Sequence, residues 1–137
     1  MPDTLKLEIV TPEAQTLSED VEMVTLPGIE GEMGVYPHHV PLMTQLEAGE
    51  IIVRKDGQDR FFAVGGGFVE VTGDHVAILT DMAIKADDID EAKAEEARRR
   101  AEARLAEKID DEEHAVLSAA LANALAQIHV KRRRQHH

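Results

Sequence analysis

At 137 residues, with 43% hydrophobic, 31% charged and 3% aromatic residues, the chain has the composition of one small globular unit, or of such a unit with an appendage. The absence of cysteine excludes disulfides, thiol nucleophiles and Cys-based zinc sites, and the net charge of -12 argues against the basic face that nucleic acid requires. No apolar run is long enough to span a bilayer, and no basic stretch followed by an apolar one marks a signal or transit peptide.

The apolar period at the start is two. Leu5, Leu7 and Ile9 alternate with Lys6, Glu8 and Val10, and Thr11-Pro12-Glu13 reads as a turn. A second strand is expected from Val21 to Leu26, closed by Pro27-Gly28. Ile51-Ile52-Val53 leads into Asp56-Gly57, a two-residue hairpin turn, and Phe61 to Val64 pairs back. Phe68, Val69 and Val71 reach a further turn at Gly73-Asp74, and Val76 to Leu79 follows. Short strands at this spacing predict an antiparallel β-sandwich or barrel.

The composition changes near residues 82–90. Every glycine lies at or before Gly73, every proline at or before Pro41, and beyond Asp74 Ala, Glu, Arg and Leu dominate. The charge divides at the same place: residues 1–84 carry 15 acids against four bases, whereas residues 85–137 carry 12 acids and 11 bases. Asp88, with Glu91 three residues on, is the expected cap of a helix over residues 92–109. Asp110 with Glu113 repeats the signal, so a second helix should run to about Val130, antiparallel to the first. Its stripe of Leu117, Leu121, Leu125 and Ile128 would face Ala94, Ala97, Ala101 and Leu105. Burying a Leu or Ile contributes about 1.5–3 kcal/mol and an Ala far less, so an Ala-faced hairpin should be loosely held and able to undock. The fold expected is therefore β + α, a β-sandwich over residues 1–86 followed by a two-helix hairpin over 87–137.

Residues 31–49 read GEMGVYPHHVPLMTQLEAG. This long, spaced motif resembles that of the ε subunits of bacterial F-type ATP synthases, in which a Gly-Glu-Met/Leu-Gly run precedes a His-x-Pro. The resemblance extends to the opening Leu-Glu-Ile-Val-Thr-Pro-Glu, to Gly-Gly-Gly-Phe-Val-Glu-Val and to Asp90-Glu91-Ala92. His38 departs from it, standing where the family commonly has Gly. The resemblance implies a non-catalytic rotor subunit that couples proton translocation to ATP synthesis at the cytoplasmic face of a bacterial inner membrane. It implies a sandwich bound to the γ subunit and the c-ring, with Glu32, Gly34, Tyr36, His39 and Pro41 as candidate contacts. It also implies a mobile hairpin that restrains ATP hydrolysis, with Lys131, Arg132, Arg133 and Arg134 meeting an acidic segment of the α/β catalytic head. Some members hold regulatory ATP through an Ile/Leu-Asp-x-x-Arg-Ala motif. Ile89, Asp90, Lys93 and Ala94 fit it except that Lys93 replaces Arg, and Lys offers phosphate a point charge instead of a planar fork. No cofactor is required otherwise.

The other polar features favour plainer roles. His38 and His39 are adjacent, so on an extended segment they point apart, and His75, His114 and His129 lack the spacing of a zinc helix. No metal site is expected. His136 and His137 are terminal. Gly65-Gly66-Gly67 lacks the Lys-Ser/Thr of a phosphate loop and precedes a strand-like run, which predicts a bulge or close backbone approach. Acid pairs such as Glu30 and Glu32 have no nucleophile beside them, so no catalytic constellation is present. The rival possibility is a free-standing β-domain that binds a nucleotide and signals through its helices.

Overall fold

A computed structural model describes residues 4–13 and 15–135, without the side chains at 15, 16, 134 and 135. Ten strands form one curled sheet: β1 Leu5–Val10, β2 Gln15–Val21, β3 Met23–Gly28, β4 Gly31–Val35, β5 His39–Leu46, β6 Gly49–Lys55, β7 Gln58–Val64, β8 Gly67–Gly73, β9 His75–Thr80 and β10 Ala83–Lys85. Two helices follow, α1 Glu91–Leu105 and α2 Asp111–Gln135.

The strand order is β10-β7-β6-β3-β5-β8-β9-β1-β2, with β4 paired to β3 beside that path. Every pair is antiparallel except β1 with β9, which run parallel. That parallel pair seats the chain's first strand between β9 and the last strand of the order, β2, a non-local contact that no turn signal announces. The sheet then curls until its far regions meet. Glu19 of β2 reaches Lys55 at 3.5 Å and Arg60 at 3.0 Å, so acid on one side faces base on the other across the seam.

Alternation decides which face is the core. Leu5, Leu7, Ile9, Val24, Leu26, Ile51, Val53, Val69, Val71, Val76 and Ile78 all point inward and are fully buried. The β6–β7 hairpin turns at Asp56-Gly57 with φ of 53° and 74°, the left-handed pair that suits such a turn. The β8–β9 turn uses Gly73 at φ 58°.

Four details differ from the sequence-based expectations. The single strand expected over Val21 to Leu26 is two strands broken at Glu22, whose carboxylate accepts from the Gly57 backbone N–H at 2.8 Å. The motif region, where no strand was predicted, forms β4 and β5, because its glycines and prolines fall at strand ends, a hairpin and a register shift. Asp88 does not cap α1. It lies in a short 3-10 turn, Ala86–Asp88, that lets Ile89 point into the core, and Asp90 is the cap, accepting from Lys93 N–H at 3.1 Å. The helices also differ in length, α1 ending at Leu105 and α2 continuing to Gln135, although Asp110 caps α2 as its sequence suggests.

The hairpin is docked. Ala126 and Val130 of α2 join Ala63, Ala86 and Ile89 in a second, smaller core on the outer side of β6 and β7. Ala94 and Ala101 of α1 are buried against α2, together with Ala124 and Ile128. Leu125, expected on this stripe, is instead 47% exposed, because the face of α2 turned inward is set jointly by α1 and the sheet.

Candidate functional site

Two surfaces carry chemistry beyond what the fold needs. The first is an apolar patch on the outside of the sheet. In the cross-strand row Gln45–Phe68–Leu79, Phe68 and Leu79 are 57% and 52% exposed, and Met43 lies two residues along β5 on the same face. Val40 at the start of β5 and Tyr36 just after β4 are also exposed, at 71% and 58%. Side chains of this size normally go inside, and a contiguous set left outside marks a partner surface.

The sequence-predicted contact residues lie along β4, just after it and at the start of β5, and do not converge on one point. Glu32 and Gly34 are exposed on β4, Tyr36 follows that strand, and His39 and Pro41 begin β5. Tyr36 lies against Gly34, where an added Cβ would stand 3.8 Å from its ring. His39 is half-buried, its Nδ1 2.6 Å from the Val40 carbonyl oxygen. His38 takes φ 65°, a conformation in which Gly fits with less strain, and its backbone N–H donates to Asp74 at 2.9 Å. Met43, Phe68 and Leu79 were not singled out from sequence. The signal was present: Val69 and Val71 point inward, so Phe68 of the same strand must point outward.

The second surface is the end of α2. Lys131 Nζ donates to the Ala86 carbonyl at 3.2 Å. Arg132 meets Glu91 at 3.2 Å and Glu95 at 2.8 Å, both on α1. Arg133 pairs with Glu50 of β6. The Arg134 side chain lies outside the described part, as do His136 and His137. Lys131, Arg132 and Arg133, three of the cations predicted to contact a partner, are thus engaged within the chain when the hairpin is docked. At the other end of the hairpin, Arg104 clamps Glu107 at 2.5 Å and Glu113 at 3.0 Å. These two carboxylates raise the Arg104 guanidinium above its ordinary range.

The residues fitting an ATP motif are mostly used in folding. Ile89 and Ala94 are buried, the exposed Asp90 uses its carboxylate to cap α1, and the Lys93 side chain is offered to solvent. Arg98 nearby is held by Glu95 at 2.7 Å and Glu102 at 2.5 Å. Among the described residues no group of three or more His, Asp or Glu side chains comes together to hold a metal, and no helix is long and apolar enough to cross a membrane.

A curled sheet carrying an exposed apolar patch, followed by a docked helical hairpin with a cationic end, defines a class of two-part assembly subunit. Residues 4–86 match the family described as ATP synthase, Delta/Epsilon chain, beta-sandwich domain, and residues 87–132 match its long alpha-helix domain. The chain belongs to this ATP synthase delta/epsilon family. It is 45% identical over 134 residues to the ATP synthase epsilon chain of Dehalococcoides mccartyi, covering 97% of this chain and 96% of that one. It is 47% identical to the epsilon chain of Syntrophobacter fumaroxidans, over 95% of this chain and 97% of the relative. A chain in the Euglena gracilis mitochondrial ATP synthase, solved as OSCP/F1/c-ring, superposes with a TM-score of 0.76 at 26% identity, covering all of this chain and 84% of that one. A chain of the Tetrahymena thermophila mitochondrial ATP synthase central stalk and c-ring shares the fold, with a TM-score of 0.67 at 12% identity over 94% of this chain and 97% of that one.

Proposed function

We propose that this chain is a non-catalytic subunit of the central stalk, coupling proton translocation to ATP synthesis at the cytoplasmic face of a bacterial inner membrane. The sandwich is the fixed part, bound to γ and to the c-ring through the patch of Met43, Phe68 and Leu79 and the neighbouring Glu32, Gly34, Tyr36, His39 and Pro41. The hairpin is the moving part, and its release lets Lys131 to Arg134 reach acidic groups of the α/β head and restrain ATP hydrolysis.

The observation that carries this reading is the composition of the hairpin's docking contact. Among the described residues, its buried cluster takes only Ala126 and Val130 from α2, packed with Ala63, Ala86 and Ile89, while Ala94, Ala101, Ala124 and Ile128 are spent on the contact between the helices. Alanine burial contributes little against the order it imposes, so docked and released forms can lie within a few kcal/mol of each other. No cofactor is needed. Regulatory ATP would rely on the exposed Lys93 ammonium as a point charge toward phosphate.

The test is ATP hydrolysis by the host F1 complex assembled with the intact chain or with a chain ending at Asp88. We expect truncation to raise hydrolysis severalfold while assembly persists. Unchanged hydrolysis in an assembled complex would remove the inhibitory role and leave the sandwich as a coupling piece. If the intact chain fails to bind γ, the stalk role itself is wrong.

A further inference from the structure

Among the described residues, one side-chain oxygen is buried without a hydrogen-bond partner, Oε2 of Glu50. Glu50 stands on β6 opposite Ala63 of β7, on the outer sheet face that Ala126 and Val130 of α2 cover. Its side chain is only 9% exposed. Its other oxygen, Oε1, meets the guanidinium of Arg133, 83 residues later in the chain.

A carboxylate on the outside of a sheet is normally hydrated. Here the docked helix removes that water, and the charge that compensates the loss comes from the helix itself. Taking away one partner of such a pair strands a buried charge, which costs much more than the intact pair contributes. Because Oε2 has no donor, the docked pair is also under-satisfied, and release of α2 hydrates both ions. The arrangement therefore holds the helix end without holding it irreversibly.

We propose that Glu50 and Arg133 form a latch that sets the balance between docked and released hairpin, and that the docked latch withholds Arg133 from any acidic partner. This rests on the moving hairpin proposed above. Two features separate it from a general surface attraction. Arg132 pairs with Glu91 and Glu95 inside the hairpin, so that pair can travel with the helices. The Arg133 pair joins the hairpin to the sheet, so it must break on release.

The chain has no cysteine of its own, so Gln58→Cys and His129→Cys, both at exposed positions, allow two spin labels and a distance distribution in the isolated full chain. Arg133→Gln should raise the ratio of released to docked hairpin by about tenfold or more, because it leaves the Glu50 charge buried alone. Arg133→Lys, which keeps the charge, should move that ratio far less. Adding Glu50→Gln to Arg133→Gln removes the stranded charge and should return the ratio most of the way to wild type. The latch is overturned if Arg133→Gln leaves the distances unchanged, if Arg133→Lys releases the hairpin equally, or if the double variant stays as released as the single one. The sheet signal in circular dichroism identifies any variant that has lost the sandwich, and the Lys variant then carries the comparison. The hydrolysis experiment reads a different quantity: losing the inhibitory role would leave these distances, and the latch, intact.

Discussion

A methyl group at residue 67 would stand 1.9 Å from the backbone oxygen of Leu79. Both atoms belong to paired strands, Gly67 lying opposite Thr80, so neither can move without breaking the β8–β9 ladder. One residue earlier the situation is ordinary: a Cβ at Gly66 would meet its nearest atom, the Leu46 carbonyl oxygen, at 3.6 Å. Gly67→Ala should therefore lower the stability of the sandwich by at least about 2 kcal/mol, and Gly66→Ala by well under half of that. Urea unfolding of the two variants decides it, and equal losses would mean that the triplet acts through chain flexibility. The close backbone approach was legible from the three glycines and the strand-like run behind them. Its partner was not, because Leu79 comes from a neighbouring strand whose register only the folded sheet defines. Thr80 shows the same limit. Its buried hydroxyl lies 2.9 Å from the Gly65 carbonyl oxygen and 3.1 Å from that of Met82, tying the glycine triplet to the residues after β9, a link that no local pattern announces.

At the scale of elements, short-range signals located the β6–β7 and β8–β9 hairpins and the two helices, and long-range packing decided what they left open. Asp56-Gly57, Gly73-Asp74 and Asp110 each act as their chemistry requires. The facing side of α2 was less legible, because it packs on α1 and on the sheet together, and helical spacing alone selects only one stripe. The result is that Val130 is fully buried while Leu125 is 47% exposed. Val130→Ala should weaken docking of the hairpin by about 1–2 kcal/mol, the loss for two methyl groups in a small core, whereas Leu125→Ala should change docking little. Amide hydrogen exchange over α2 measures this, with faster exchange there and unchanged protection in β1, β8 and β9. If both variants loosened α2 equally, the leucine stripe would hold the hairpin after all. The exposed patch of Met43, Phe68 and Leu79 belongs to this scale as well, since alternation in β8 and β9 predicts outward side chains but not that three strands align them.

At the scale of the whole molecule, charge is distributed so that the negative front part meets the cationic end of the chain. Glu50 of the front part meets Arg133 there, and Glu95 of α1 meets Arg132 within the hairpin. The hydrogen bond from Arg98 holds the Glu95 carboxyl below the ordinary value of 4.5, and the charges of Arg132 and Arg99 act in the same direction, against partial desolvation. Arg132 reaches the same carboxylate from α2 at 2.8 Å, so one group ties the two helices together. A carboxyl whose pKa is lower in the docked form contributes its stabilisation above the free value and loses it as pH falls through the docked value. The share of this stabilisation that comes from Arg132 ties the α2 end to α1, and that tie should hold at neutral pH and weaken as pH falls below 4.5. The sandwich should persist longer, since the core cluster described inside it consists of aliphatic side chains and Phe62, none of them titratable. Relief of the net charge of -12 works in the opposite direction, favouring compactness as acids are neutralised. The two effects separate by position. Charge relief acts on the whole surface, while protonation of Glu95 frees one helix end. Spin labels at the exposed residues 96 and 129, one on each helix, should report separation of the α2 end from α1 at a pH where the sheet signal is still native, and Glu95→Gln should show part of that separation already at pH 7. A single transition shared by helix and sheet would instead mean that the hairpin and sandwich respond to acid as one unit.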